Sequence, residues 1–336
     1  MCELLSHYVG ITPVAQQQRS GQFLWITLWL SLLFWSCDQS FDGRGSLDHK
    51  MVVFSILSTD RDLQFVRVEQ SYMPEQYDPT SYTSETSLSG ARVTIRLGSK
   101  TWILRDTLLP RDDTLRFKYP IHAFVANFRA SSGGTYFLNI THPTMGAISS
   151  SARVPFKPTI ELVYPSGSIL SNPTAYSDTG NIVFKFTTIE MAFIGRMFVD
   201  YETLVGTEWI PGRIEIPEKY KGSGVRDLAL VDYPTLTKIS SYLAVSVFKN
   251  ALYQKTLNDI AYNKYPANRV VFDRVVYQVL LVDQDTYKYL NPDQDPHSIR
   301  LDEQAFFNIR GGVGIFGSYS IDSLVYLLPE SFPFNH

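Results

Sequence analysis

Cysteine is nearly missing from this sequence: 336 residues hold two, Cys2 and Cys37. Cys2 lies upstream of the processing point argued below and Cys37 at it, so the mature chain has no pair to oxidise and a disulfide framework is excluded. A chain of this length has core enough to do without one. An excess of one charge is missing too. Lys and Arg total 30 against 33 Asp and Glu, a net charge of −3, and no Lys/Arg block interrupts the balance. That removes the electrostatic case for nucleic acid. Hydrolase signatures are lacking as well, with neither G-x-S-x-G nor H-E-x-x-H present.

What the sequence has is apolar and aromatic material. Hydrophobic residues make up 44% and aromatic residues 14%, with 20 Tyr and 21 Phe. The first figure suffices for globular cores and excludes general disorder. The second leans toward β-structure, where flat side chains pack on a pleated surface. At 336 residues, two domains is the natural expectation.

Near the amino end, Phe23 to Trp35 forms a 13-residue apolar stretch preceded by Arg19. A bilayer span needs about 20 residues, so the stretch has the length of a signal-peptide hydrophobic region. Leu33-Phe34-Trp35-Ser36-Cys37 follows and then polar Asp38-Gln39-Ser40. This resembles a bacterial lipobox, with a small residue before a cysteine whose thiol is acylated before cleavage, although Phe34 and Trp35 are bulkier than usual there. The resemblance implies a mature protein that begins at a lipidated Cys37 and is held to a membrane by its acyl chains. An ordinary signal peptide with an incidental cysteine, and an uncleaved anchor, remain alternatives at this point.

The expected organisation is a lipoprotein signal peptide over residues 1–37, a polar tether over 38–50, an immunoglobulin-like β-sandwich over 51–156 and a β-rich domain over 157–336. The boundary is placed at Pro155 to Pro158, which holds two prolines. Strand patterns cover Met51–Leu57, Leu63–Glu69, Ala91–Leu97, Thr101–Arg105, Leu115–Tyr119, Ala123–Phe128, Thr135–Ile140 and Ala147–Val154. In Ala91–Leu97 the alternation is cleanest: Ala91, Val93, Ile95 and Leu97 face in, and Arg92, Thr94 and Arg96 face water. The Cys…Trp…Cys signature of antibody domains is absent, so the likeness stops at architecture. Beyond the boundary, strands are expected at Ile182–Phe186, Phe193–Tyr201 and Val275–Val282, and a long excursion over Pro211–Pro234. Helical periodicity places Val247, Ala251, Leu252, Leu257 and Ile260 on one face of a helix within Ser246–Tyr262. Asp283 or Asp285 is positioned to cap a short helix that Asn291-Pro292 stops.

Candidate chemistry is sparse. Asp283, Asp285, Asp293, Asp295, His297, Asp302 and Glu303 form an acidic cluster with one histidine. Alternate oxygen ligands can hold Ca²⁺, so Asp293, Asp295 and His297 are the weak metal candidates. The run lacks the Gly and distal Glu of an EF-hand loop and reads as a solvated loop. Ser223, in Gly222-Ser223-Gly224, has no strand-to-helix context. His122 beside a strand reads as a packed or surface residue, and the sequon Asn139-Ile140-Thr141 carries no weight in a bacterium. Gly312, Gly314 and Gly317 spell G-x-G-x-x-G, but 19 residues then remain, including Pro329 and Pro333, too few to complete a dinucleotide fold. The glycines read instead as a turn or bulge beside a strand, with Ile315 and Phe316 packed inward. No catalytic residue and no cofactor is assigned.

The segments Val275-Val276-Tyr277-Gln278-Val279-Leu280 and Tyr287-Lys288-Tyr289-Leu290, and above all Asn308-Ile309-Arg310-Gly311-Gly312-Val313-Gly314-Ile315-Phe316-Gly317, are similar to a known family. It is a family of Gram-negative outer-membrane lipoproteins, the domain of unknown function 4249 family. Its members pair a signal cysteine with an early β-sandwich and carry N-I-x-G-G-x-G-x-F-G near the end. The amino-terminal half matches by pattern, as in Gly134-Thr135-Tyr136-Phe137-Leu138. The resemblance supplies no catalytic residues. It implies lipid anchoring at the outer membrane, in either leaflet, and a TonB-dependent β-barrel receptor as partner. The function expected is therefore a non-enzymatic binding or accessory lipoprotein. A surface adhesin or glycan-binding lipoprotein is the alternative, and an envelope hydrolase the third reading.

Overall fold

Strand-forming alternation dominates the structure, a computed structural model that describes residues 48–73, 85–111, 119–220, 231–265, 269–291 and 306–336. The amino-terminal half contributes β1 (Met51–Ser58), β2 (Leu63–Gln70), β3 (Arg92–Leu97), β4 (Lys100–Ile103), β5 (Arg105–Leu109), β6 (Ile121–Asn127), β7 (Thr135–His142) and β8 (Gly146–Arg153). Then follow β9 (Thr159–Leu162), helix α1 (Ser166–Ser171), β10 (Asn181–Thr187), β11 (Ala192–Val205), β12 (Glu208–Ile216), β13 (Lys219–Tyr220), β14 (Val231–Asp232) and β15 (Thr237–Lys238). Next come β16 (Leu243–Lys249), helix α2 (Asn250–Asn258) with a π-helical turn over Asp259–Lys264, β17 (Val270–Val282), helix α3 (Gln284–Leu290) and β18 (Val313–Leu327). The protein is mainly β, as the aromatic and alternating composition leads one to expect.

One sheet runs through both halves, in the order β12-β11-β17-β18-β1-β2-β6-β5, with β15 paired to β11. Its pivot is β18. That strand runs antiparallel to β17 and parallel to β1, in register from Val52 opposite Val313 to Ser58 opposite Tyr319. A four-stranded sheet, β4-β3-β7-β8, packs against the β1, β2 and β6 end, and a three-stranded sheet, β16-β10-β9, packs against the β11 and β17 end.

Each packing makes a core. Val53, Val66, Ile95, Phe124, Tyr136 and Ile140 belong to the first and are almost completely buried, and Ile309 and Phe316 join them from the carboxyl-terminal end of the chain. The second is aromatic, with Phe184 stacked on Tyr277 at a centroid distance of 4.0 Å and Phe248 edge-on to both. The Tyr277 hydroxyl is satisfied by Ser246 Oγ at 2.7 Å. Between the cores, Glu190, buried in the β10–β11 turn, accepts both hydrogen bonds of Arg153 at the end of β8, at 3.0 and 2.9 Å. A charge this deep is tolerable only when paired.

Two expectations change. Pro211–Pro234 is in part regular: β12 carries Pro211 opposite Glu202 and pairs with β11 alone. Proline lacks a donor and is accommodated because β12 is the outermost strand. The segment expected to be helical from Ser246 is strand through Lys249, because Ala244, Ser246 and Phe248 alternate inward and Val247 pairs with Val183; the helix starts at Asn250. Of the strand expected at Leu115–Tyr119, residues 115–118 lie outside the described residues, and Tyr119 is exposed.

Candidate binding site on the outer face of the large sheet

Successive side chains of a strand point to opposite faces. On β1, β2, β11 and β17 one set enters the two cores: Val53 and Leu57, Val66 and Val68, Met197 and Val199, Val279 and Leu281. The opposite set is apolar too. Phe54 and Ile56 on β1, Leu63 and Phe65 on β2, Ile194 on β11, and Leu280 and Val282 on β17 line a cavity of about 370 Å³. Leu236, just before β15, lines its far side.

The remaining wall is α3, through Thr286 and Leu290. Asp283 starts this helix by accepting the Thr286 amide at 2.6 Å, and its other oxygen accepts Ser318 Oγ at 2.6 Å. Burial holds the Asp283 carboxyl above its ordinary range, against the lowering effect of these hydrogen bonds. Thr286 in turn accepts the Ser318 amide at 3.1 Å. The helix can approach the strand this closely because residue 317 is glycine: a Cβ there would lie 2.0 Å from Thr286 Oγ1.

Gly317 ends the glycine-rich segment, and the rest of that segment is a fastening. A Cβ on Gly314 would lie 2.0 Å from the Val53 carbonyl oxygen, and on Gly312 2.7 Å from that of Met51, so both glycines admit β1 alongside β18. Gly311 and Gly314 have φ of 82° and 106°, where other residues are strained. Asn308 accepts the Phe316 amide at 2.9 Å and donates to the Phe316 carbonyl at 2.8 Å and to Asp285 at 3.0 Å. Arg310 bridges to Ser149 of β8. Phe316 and Ile315 are both fully buried, Phe316 within the first core.

The polar groups of the cavity wall differ in their freedom. Gln64 is fully engaged: its Oε1 accepts Ser58 N at 2.9 Å, and its Nε2 donates to carbonyls of Ser58, Arg61 and Phe128. Tyr319, on β18, has its phenol pushed up by burial, with the Asp60 carboxylate adding to the effect and a Ser58 hydrogen bond opposing it, so it stays a neutral donor. Arg61 is exposed on the wall and forms no ion pair among the described residues, while the neighbouring Asp62 pairs with Arg129 at 3.0 Å.

The model of one protein family, described as a domain of unknown function (DUF4249), matches residues 41–324. The chain belongs to that family. A search of curated proteins gives no match. The DUF4249 match takes in the first core, the second core apart from Phe332 and Phe334, the cavity wall and the whole 308–317 segment.

Other residues singled out from the DUF4249 sequence are dispersed. Cys37, Ser223, Asp293, Asp295, His297, Asp302 and Glu303 lie outside the described residues. Among the described residues, no group of three or more His, Cys, Asp or Glu is arranged to hold a metal ion, and no helix is long and apolar enough to cross a membrane. His122 Nε2 sits 3.1 Å from Asp106, with its ring edge-on to Phe124. The apolar residues of the cavity were not singled out in the sequence, where Met51–Leu57 and Val275–Val282 read simply as strands. The signal was present. A strand apolar at both parities, in a sheet that is largely antiparallel, needs cover on both sides.

Proposed function

We propose that this protein is a lipid-anchored, non-enzymatic binding protein of the outer membrane, whose outer-face cavity holds an apolar group and whose partner is a TonB-dependent β-barrel receptor. The observation that carries the reading is the cavity: about 370 Å³, walled mainly by Phe, Ile, Leu and Val. Small-molecule and side-chain sites are concave and apolar in this way, with few polar groups. Gln64 and Thr286 at its wall are committed to the fold, as their hydrogen bonds show. The anchor rests on the Phe23–Trp35 stretch and the Ser36-Cys37 pair, with residues 38–50 as the tether.

The test is capture of the lipidated protein from detergent-solubilised envelopes, with bound proteins identified by mass spectrometry. A TonB-dependent receptor is expected with the wild type, and at least tenfold less of it with Leu280→Trp, which fills the cavity. Repeated capture without such a receptor removes the reading. A second reading, a glycan-binding adhesin, is favoured by Tyr164 and Tyr242, which are 89% and 75% exposed. A glycan array probed with the intact chain separates the two.

A further inference from the structure

We infer that the cavity takes one alkyl chain ending in an anionic group, such as a medium-chain fatty acid. The inference rests on the cavity being the binding site proposed above. Three features carry it. The volume of about 370 Å³ lies at the small end of the range for small-molecule sites and suits a single alkyl chain. The interior wall is aliphatic and aromatic, supplied by β1, β2, β11 and β17, and so selects hydrocarbon over a sugar or peptide backbone.

The charge on the wall is complementary to an anion. Among the described residues that line the cavity Arg61 is the charged one, and it is exposed with no ion-pair partner among the described residues. An arginine fork is shaped for carboxylate or phosphate oxygens. Tyr319 stands on the same wall as a protonated phenol hydrogen-bonded to Asp60, so the headgroup contact falls to Arg61.

The experiment uses the full lipidated chain in its own membranes, labelled with dodecanoic acid bearing a terminal diazirine. Matching arms use the C12 alkyl phosphate, the C12 alcohol and a two-chain phosphatidylglycerol with the same photoreactive tail. Saturable labelling of peptides from β1, β17 or α3 is expected with the carboxylate, the phosphate or both, and the two arms tell which headgroup is preferred. The alcohol should require about tenfold more probe, as loss of one charge-assisted contact implies. Arg61→Gln, which keeps side-chain bulk on an exposed position, should impose the same tenfold shift on the carboxylate, and Leu280→Trp should abolish labelling. Equal labelling by the alcohol or by phosphatidylglycerol, no effect of Arg61→Gln, or labelling that does not saturate would overturn the inference. If labelling fails while Leu280→Trp still abolishes receptor capture, the ligand class is wrong and the binding function stands. Labelling without receptor capture gives the converse.

Discussion

The side chain of Asn308 grips the peptide of Phe316 on both sides, accepting its N–H at 2.9 Å and donating to its carbonyl at 2.8 Å. Phe316 is fully buried in the first core and sits on the strand that joins the two halves. Its backbone groups therefore have no ready replacement partner when Asn308 is truncated. An unsatisfied buried polar group costs about 1–3 kcal/mol. Asn308→Ala should lower stability by about 2–4 kcal/mol, read from the midpoint of a denaturant titration. Asn308→Asp should be at least as damaging, because it removes both donations and sets a second carboxylate beside Asp285. A loss below about 0.5 kcal/mol for Asn308→Ala, the range of surface changes, would show that the clamp contributes little.

Gly317 and Thr286 form a coupled pair. Alanine at 317 would drive a methyl group to 2.0 Å from Thr286 Oγ1 and displace α3 from the sheet, removing one wall of the cavity. A destabilisation of about 2–4 kcal/mol is expected for Gly317→Ala, at the high end for overpacking. Thr286→Ala removes the clashing oxygen but also an acceptor for the Ser318 amide. The double variant should be less destabilised than the two single changes summed, by about 1 kcal/mol or more, as expected for residues in contact. Strict additivity in a double-mutant cycle would mean that α3 does not rest on Gly317.

Much of the local structure is legible in the sequence, and the long-range pairing is not. In β3, Val93 and Ile95 are buried and Arg92 and Arg96 exposed, as simple alternation requires. The Asp283 cap and the stop at Asn291 follow from side-chain chemistry within a few residues. By contrast, nothing near Val52 announces Val313 as its neighbour. A parallel partner some 260 residues away is chosen by the topology of both cores together. The short-range misreadings have local causes. Val247 and Ala251 share a helical spacing by accident, while β-branched Val245 and Val247 favour the strand that forms. The cavity is legible only in part for a related reason: apolar residues at both parities of a strand announce a cover on each face but not which distant element supplies it.

Asp283 gives the protein a pH signature opposite to that of an ordinary ion pair. Burial raises its carboxyl pKa, so the folded chain keeps a proton to higher pH than the unfolded chain does. Its contribution to stability therefore falls as pH rises from the ordinary value of 3.8 through the raised folded value, and is constant above that. Asp200 behaves conversely. Its hydrogen bond from Arg213, and a second from Arg274, lower its pKa, so its contribution is present above 3.8 and is lost as pH falls through the depressed value. In Asp283→Asn, stability relative to the wild type should improve steadily with pH above about 4 and then level off. Denaturant midpoints taken from pH 3 to 8 measure this directly. A difference between the two proteins that is constant over the range would rule out titration of Asp283.

The proposed membrane attachment through a lipidated Cys37 can be separated from attachment through the apolar stretch before it. Acyl chains on that cysteine would contribute about 0.8 kcal/mol per buried methylene, so that more than one chain gives stable anchoring. The Phe23–Trp35 stretch, at 13 residues, falls short of the roughly 20 that a spanning helix needs. Cys37→Ser should therefore lose incorporation of labelled palmitate and move from the membrane pellet to the soluble fraction. Circular dichroism of the released protein should be unchanged, because the cores and the cavity are built from residues beyond 50. Membrane retention without label would instead assign attachment to an uncleaved apolar segment. Release would also change the cavity's surroundings, since a free protein meets an alkyl anion from water while an anchored one meets it at the bilayer surface. Receptor capture by the Cys37→Ser protein should consequently fall even though its folded domain, and its cavity, are intact.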